Sequence, residues 1–273
     1  MIVWLIGFFL FWLGVSVGSF LNVCIYRLPR EERVSFSRSR CPHCKHTIAW
    51  YDNIPLVSYF VLGTKCRHCK KRISFRYPFV ELITGIVFVG FFLYYGLNIF
   101  WVSYTLLACL LIIATFIDID FRIIPDVITL GGCVVGLVLS FSFPALQGGV
   151  SPWKGLLYSG WGLFFGGFII YITGLFGDWL FKKESMGGGD VKFLAMMGAF
   201  LGAPQAFLIF FLAPFAGAVI GIIQKIRTGE STIPYGPFLS AGCVVTVFFY
   251  YDIIYKLGIW PLFEWLNPIR YIP

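Results

Sequence analysis

The chain has 273 residues, of which 59% are hydrophobic, 20% are aromatic and only 12% are charged. Soluble globular proteins carry roughly 25% charged residues, so the composition excludes an ordinary soluble domain and indicates an integral membrane protein. The net charge of +8 is not accompanied by a nucleic-acid-binding pattern, so we expect no nucleic acid partner.

Six segments contain no acidic residue, no basic residue and no histidine: 1–26, 82–117, 127–153, 155–177, 193–224 and 231–251. A helix needs roughly 20 residues to cross a bilayer core about 30 Å thick, so each segment is long enough to span. The segment 82–117 has room for two helices separated near YYGLN, and GAP at 202–204 divides 193–224 into a short and a full helix. The sequence therefore predicts an all-α polytopic membrane protein with about eight transmembrane helices.

A strongly basic loop follows the first apolar segment. Residues 1–26 lack the basic n-region of a cleaved signal peptide and are longer than its apolar region, so we expect a first transmembrane helix. Residues 27–76 hold 12 of the 21 Lys and Arg but only 3 of the 13 acids, for a local charge of +9. Basic loops remain in the cytoplasm and attract anionic lipid headgroups, so we place this loop at the cytoplasmic face of the bilayer.

Four cysteines of this loop form two pairs, CPHC at 41–44 and CRHC at 66–69. Two such pairs can complete a tetrahedral zinc site, although the gap of 21 residues slightly exceeds the usual spacing of about 15–20. Disulfides are the first alternative, which a reduced cytoplasm disfavours, and four ordinary thiols are the second. We expect a structural zinc that staples a loop too small to fold well alone, with the ligands Cys41, Cys44, Cys66 and Cys69.

The other cysteines and the histidines receive no metal-binding role. Three histidines beside the cysteine pairs are expected to be polar loop residues rather than ligands: His43, His46 and His68. Four cysteines fall within predicted helices, where a thiol behaves as a small hydrophobic side chain. These are Cys24, Cys109, Cys133 and Cys243.

Two carboxylates stand where apolar helices meet the same face of the bilayer. Asp118 directly follows the apolar segment 82–117, and Asp190 follows three glycines in MGGGDVK, at 186–192. Carboxylates at this depth are costly and indicate function. If their helices touch, the two side chains can share one proton, with one acting as a general base and the other as a general acid. The glycines alone favour a linker or a helix entry, but beside a reactive pair they would let a substrate backbone approach.

Three charged neighbours of this pair have competing interpretations. Asp120 lies two residues beyond Asp118, so a helix turns it about 200° away and only one of them can face a given partner. Asp126 follows a proline and is expected to cap the next helix. Lys192 either shifts the pKa of Asp190 or extends its amine to the bilayer surface. The residues alone do not choose between Asp118 and Asp120.

Taken together, these motifs resemble the type IV prepilin peptidases. The resemblance rests on FIDIDFRIIPD at 116–126 and on MGGGDVK, a G-x-G-D motif formed by Gly187, Gly189 and Asp190. Four further segments are similar to the family: GSFLNVCIYRLP at 18–29, WYDNIPLVSYFVLG at 50–63, RYPFVELITG at 76–85 and TIPYGPFLSAG at 232–242.

The resemblance implies an aspartic endopeptidase of the bacterial inner membrane, with its active site facing the cytoplasm. Such enzymes cleave the leader of prepilins and pseudopilins, in type IV pilus and type II secretion systems, after a glycine and before an apolar helix that usually begins with Phe. The resemblance assigns Asp118 and Asp190 as the catalytic pair, and we expect Gly187, Gly189 and Lys192 to position the substrate backbone. Members with the cysteine-bearing loop also methylate the new N-terminus with S-adenosylmethionine, whose binding residues the sequence does not locate.

The predicted organisation has four parts. These are the first transmembrane helix (1–26), the cysteine-bearing loop domain (27–78), the membrane peptidase core (79–256) and a tail in the membrane interface (257–273). Two alternatives to the bifunctional enzyme stay open, a peptidase without methyltransferase activity and a proton-coupled transporter that uses the same two aspartates.

Overall fold

A computed structural model of the chain describes residues 1–34, 39–182, 186–228 and 233–258. Within these ranges the chain is helical, and its only β pairing consists of two isolated bridges, Arg40–Thr47 and Lys65–Arg72. The predicted all-α class is confirmed. The predicted interfacial tail, 257–273, lies outside the described residues from position 259 onward.

The described ranges contain nine α-helices. They are α1 (Ile2–Arg27), α2 (Val57–Val61), α3 (Arg76–Tyr95), α4 (Ile99–Phe121), α5 (Asp126–Ser142), α6 (Pro152–Phe181), α7 (Gly188–Leu201), α8 (Ala203–Thr228) and α9 (Gly236–Leu257). Short 3-10 segments lie at Leu28–Arg30, Trp50–Asp52 and Pro144–Gln147. All eight predicted helices are present, and α2 is an additional short helix within the basic loop.

Six of these helices are long and apolar enough to cross a bilayer: α1, α3, α4, α6, α8 and α9. The prediction of about eight spans is therefore not confirmed, although the protein is a multi-pass membrane protein. The helix α5 has 17 residues and α7 has 14. At 1.5 Å per residue, α7 extends about 21 Å, which is less than the bilayer core.

The chain divides into two compact units, Met1–Trp101 and Val102–Pro273. In the first unit, α1 packs against α3 through small residues, because a Cβ on Gly14 would lie 2.9 Å from the Cα of Gly85. Buried Asn22 of α1 donates a 3.0 Å hydrogen bond to the backbone oxygen of Tyr77 in α3. Close helix approach and a buried polar link are typical of packing in membranes, where hydrophobic association is weak.

In the second unit, α7 is the central helix and contacts α5, α6, α8 and α9. Residues 193–201 of α7 are all buried. The helix crosses α6 where Gly198 meets Gly162, and a Cβ on either glycine would collide with the carbonyl oxygen of the other. This backbone-to-backbone crossing holds α7, and with it the Asp190 side chain, in place.

Candidate active site and candidate metal centre

Asp118 lies near the end of α4 and is 5% exposed, whereas Asp120 is exposed. Helical geometry predicts this opposition, because residues two apart on a helix point about 200° from one another. The next residue after α4, Arg122, adopts a left-handed backbone with φ 56° and donates its N–H to the Asp118 carbonyl oxygen. The chain therefore turns directly after the carboxylate that faces the protein interior.

The buried carboxylate of Asp118 faces the start of α9. Its Oδ2 accepts a 2.8 Å hydrogen bond from the backbone N–H of Gly236, the first residue of that helix. The N-terminus of a helix favours negative charge, because its first N–H groups lack partners within the helix. A Cβ at Gly236 would lie 2.8 Å from the same oxygen, so this position admits only glycine without a shift.

Asp190 occupies the first turn of α7, a helix outside the six candidate spans. Gly187 precedes that helix with an extended backbone, and its amide hydrogen-bonds to the Asp190 carboxylate. Burial and the neighbouring charge of Asp118 raise the pKa of Asp190 to about 6, although the Gly187 hydrogen bond opposes this change. The structure therefore brings the two predicted carboxylates together, and they interact electrostatically.

The two glycines of the G-x-G-D motif lie at the start of α7, since Gly187 precedes the helix and Gly189 is its second residue. A Cβ on Gly187 would be 3.4 Å from Oδ2 of Asp190, and a Cβ on Gly189 would be 3.3 Å from the Cβ of Ile124. Gly187 thus leaves room beside the carboxylate, while Gly189 allows close packing on the segment that follows α4. Whether both glycines also admit a substrate backbone stays a prediction.

Lys192 contacts Asp126, and its Nζ lies 2.7 Å from the Asp126 Oδ1. Both side chains are partly exposed, so their ion pair is a surface interaction. The expectation that Asp126 caps α5 is wrong, because Pro125 is the N-cap and the Asp126 carboxylate binds Lys192 instead. A role for Lys192 in positioning the substrate stays a prediction.

One residue of this site, Tyr235, was not predicted from the sequence. Tyr235 immediately precedes α9, and burial and the nearby Asp190 charge raise the pKa of its hydroxyl to about 12. The hydroxyl oxygen is buried and has no hydrogen-bond partner among the described residues. Its segment, TIPYGPFLSAG, signals family membership, but nothing local to that segment indicates a contact with Asp190 some 45 residues earlier.

The arrangement supplies what peptide hydrolysis by two carboxylates needs. The Gly236 N–H stabilises negative charge on Asp118 against the cost of its burial, and the raised pKa of Asp190 lets that carboxyl keep a proton up to about pH 6. One group can therefore accept a proton from water while the other donates one, as in proton-sharing aspartate pairs.

In the first unit, the four loop cysteines form a cluster whose sulfur atoms all lie within 4.8 Å of one another. The Sγ atoms of Cys41 and Cys69 are 3.9 Å apart. Four thiolates at about 2.3 Å from one zinc ion lie roughly 3.8 Å apart, so the cluster fits tetrahedral zinc. The predicted ligands are thus brought together, and a structural metal site of the predicted composition is supported.

The two cysteine pairs have the same local fold. Cys41 and Cys66 each donate an N–H across their turn, to His46 and Lys71 respectively, and each accepts an N–H from the residue four positions later. The rings of His46 and His68 stack 4.4 Å apart rather than joining the cysteine cluster. The four other cysteines are buried within helices, as predicted: Cys24, Cys109, Cys133 and Cys243.

A cavity of about 1760 Å³ lies beside the cysteine cluster in the first unit. It is lined by the end of α1, the start of α3 and the loop between them. Sites for single small molecules measure about 300–1,000 Å³, so this cavity has room for more than one ligand. Its arginines suit the carboxylate of a donor such as S-adenosylmethionine, and its tyrosines suit the adenine ring.

Comparisons with known proteins match most of the chain. Residues 12–95 match the bacterial peptidase A24 N-terminal domain, and residues 105–222 match the type IV leader peptidase family. A prepilin leader peptidase/N-methyltransferase of Myxococcus xanthus is 38% identical over 83% of this chain, which spans 65% of that relative's length. A protein of the same description from Pseudomonas aeruginosa is 36% identical, over 84% of this chain and 85% of the relative.

A third relative comes from Escherichia coli and is described as a type 4 prepilin-like proteins leader peptide-processing enzyme. It is 32% identical over 86% of this chain and 91% of its own length. No solved structure is significantly similar to the chain.

Proposed function

The chain belongs to the type IV leader peptidase family, and from this premise we propose that it is a membrane aspartic endopeptidase that cleaves prepilin and pseudopilin leaders. The proposal rests on the pairing of two carboxylates, the buried Asp118 near the end of α4 and the half-buried Asp190 in the first turn of α7. Both come from the two motifs that carry the resemblance to the family.

In the proposed mechanism, the two carboxylates have different roles. Ionised Asp118 takes a proton from a water molecule, whose oxygen attacks the carbonyl carbon of the scissile bond. Protonated Asp190 donates its proton to the carbonyl oxygen as charge develops there. When the tetrahedral intermediate collapses, the proton now on Asp118 passes to the leaving amine, and the C–N bond breaks.

The proposed substrate geometry follows from the bilayer. The apolar helix of a prepilin lies in the hydrocarbon core, and its basic leader stays in the cytoplasm. The bond between them, after a glycine, then lies at the depth of helix ends such as those that carry Asp118 and Asp190. We place the enzyme in the bacterial inner membrane with this site facing the cytoplasm, since the basic loop favours that orientation. Gly187, Gly189 and Lys192 would position the substrate backbone.

Leader processing in three variants tests the peptidase. Asp118→Asn and Asp190→Asn should each abolish cleavage of a co-expressed prepilin, because neither amide can transfer the required proton. Asp120→Asn is the matched control, since this residue is on the same turn but exposed, and it should process normally. Normal cleavage by either catalytic variant would exclude the assignment and favour the proton-coupled transporter.

A second activity, N-methylation of the new N-terminus, is favoured by the first unit. The relatives from Myxococcus xanthus and Pseudomonas aeruginosa carry N-methyltransferase in their descriptions, and the first unit has a cavity beside its candidate zinc site. We assign S-adenosylmethionine as the methyl donor and this cavity as its site, with zinc in a structural role. Mass spectrometry of the mature pilin tests this activity. If the pilin is unmethylated although the donor is present, the protein is a peptidase without methyltransferase activity.

A further inference from the structure

The charged residues that line the cavity of the first unit are mostly basic. Among its described lining residues, nine Lys and Arg side chains accompany only three acids, Glu32, Asp52 and Glu81. Glu32 is exposed, and Asp52 accepts two hydrogen bonds of 2.8 and 2.7 Å from the guanidinium of Arg67. Glu81 is different, because it is 8% exposed and makes no ion pair in the described part of the chain.

The Glu81 carboxylate is held by hydrogen bonds to uncharged donors. Its Oε2 accepts a 2.7 Å bond from the backbone N–H of Leu56, and the Ser19 hydroxyl of α1 provides a second bond. The backbone of α1 approaches closely, since a Cβ on Gly18 would lie 2.7 Å from the Glu81 Cα. A carboxylate can accept about four hydrogen bonds, so these two donors leave it able to bind another.

The contact with Leu56 is made by a strained backbone. Leu56 has φ 60° and ψ −53°, and the N–H of Val57 donates a 2.6 Å bond to the carbonyl oxygen of Pro55. This is a γ-turn of the rare form, which persists only where surrounding structure holds it. Strain of this kind concentrates at functional sites, and here it directs one amide at the buried Glu81 carboxylate, which pairs with no cation among the described residues.

We infer that Glu81 binds the α-ammonium group of the cleaved substrate and accepts its proton during N-methylation. The inference rests on the methyltransferase function proposed above. An ammonium group would bring the positive charge that the Glu81 carboxylate has no partner for among the described residues, and further N–H donors for its remaining acceptor sites. A sulfonium group would bring the charge without any donor. Glu81 is also five residues inside α3, a candidate span, at a depth suited to the first residue of an apolar segment lying in the bilayer.

Methyl transfer requires the substrate amine to lose one proton first. An ammonium nitrogen has no lone pair, so one N–H proton first passes to the Glu81 carboxylate. The freed lone pair forms the new N–C bond with the methyl group of a sulfonium donor, and the C–S electron pair remains on sulfur as a thioether. Glu81 then returns its proton to water.

The test variant is Glu81→Gln, assayed on a peptide whose leader is already removed. The amide oxygen of glutamine still accepts the Leu56 N–H, but the side chain has no negative charge and takes up no proton. We expect methylation at pH 7 to fall about 100-fold, in line with the loss of a general base. The loss should shrink as the pH rises above about 8, where the substrate α-amine deprotonates without help.

Binding in the absence of a methyl donor gives a second readout. The wild type should bind a peptide with a free N-terminal amine at least about tenfold more tightly than its N-acetyl counterpart, and Glu81→Gln should show no preference. Glu32→Gln, at an exposed acid of the same cavity, is the matched control for both assays. Other charged groups on the surrounding segments, Arg27, Arg30, Arg67, Arg76 and Asp52, stay unchanged in both variants.

The outcomes separate this inference from the function on which it rests. If the wild type does not methylate, the methyltransferase assignment is wrong. If it does and Glu81→Gln methylates equally fast at pH 7, Glu81 has no role as an amine-binding base. A loss that does not change with pH and is accompanied by loss of zinc also overturns the inference, because it shows Glu81 to be only an anchor for Leu56.

Discussion

The backbone N–H of Gly236 donates a 2.8 Å hydrogen bond to the carboxylate of Asp118, a residue 118 positions earlier in the chain. The contact joins the first turn of α9 to the last turn of α4, and the hydroxyl of Thr115, one turn before Asp118, donates to the hydroxyl of Ser240, one turn after Gly236. One oxygen of Asp118 is thereby fixed by a helix N-terminus. The orientation of the proposed base therefore depends on an exact approach of two helices.

Substitution of Gly236 by alanine should misplace that base. The added Cβ would lie 2.8 Å from Asp118 Oδ2, so either the carboxylate or the start of α9 must shift. We expect Gly236→Ala to lower kcat/KM for leader cleavage about 10- to 100-fold, which corresponds to roughly 1.4–2.7 kcal/mol of transition-state stabilisation. Gly131→Ala is the control, because a Cβ there meets nothing within 4 Å. Equal activity of the two variants would contradict this role of the Gly236 amide.

The raised pKa of Asp190 predicts how cleavage depends on pH. Burial and the Asp118 charge raise that pKa to about 6, so the shared proton is present below this value and is lost as the pH rises through it. We expect kcat/KM to fall on the alkaline side of about pH 6, by up to tenfold per pH unit. Activity should also fall at lower pH, when the base becomes protonated as well. A profile of kcat/KM that is flat from about pH 5 to pH 8 would show that the pair does not share a proton.

The hydroxyl of Tyr235 is buried near Asp190 without a hydrogen-bond partner in the described residues. Burial of an unpaired hydroxyl is unfavourable, so its removal by Tyr235→Phe should leave the melting temperature unchanged or higher. We expect cleavage to stay within about threefold of the wild type, because the ring, which packs at the start of α9, is retained. A larger loss of kcat with KM unchanged would show instead that the hydroxyl binds the reacting carbonyl group.

The sequence predicted those parts of the site that depend on local geometry. Two Cys-x-x-Cys turns direct their thiols inward whatever surrounds them, so the metal centre was predictable from spacing. The helix period predicts that the side chains of Asp118 and Asp120 point to opposite sides of α4, but it does not say which of the two is buried. Only the resemblance to the family chose Asp118.

Contacts distant in the sequence were not predictable. Gly236 meets Asp118 because α4 and α9 pack together, and no pattern within either segment specifies that contact. The predicted number of about eight spans is not confirmed, for a related reason. Composition shows that α7 is apolar, but its 14 residues are covered by four neighbouring helices, and burial within protein requires the same side chains as burial in lipid.

The cysteine cluster predicts one zinc ion per chain. Elemental analysis of the purified protein should find roughly one zinc, and Cys66→Ser should lose most of it, since a hydroxyl is a poor replacement for a thiolate ligand. Cys109→Ala is the control, because this buried cysteine lies in α4, outside the cluster. Wild-type protein without zinc, or a control variant that loses it, would argue against the four-cysteine site.

Two glycines of α6 allow a sharp test of how α7 is held. A Cβ on Gly162 would collide with the backbone of Gly198, whereas a Cβ on Gly160, two residues earlier, meets nothing within 4 Å. Because alanine is favoured over glycine within a helix by about 1 kcal/mol, Gly160→Ala should preserve or raise thermal stability. Gly162→Ala should lower it, despite the same gain in helix propensity, and should also slow leader cleavage by displacing Asp190. Thermal unfolding and processing rates measured on both variants decide the matter, since equal stability of the two would mean that α6 and α7 do not cross backbone to backbone.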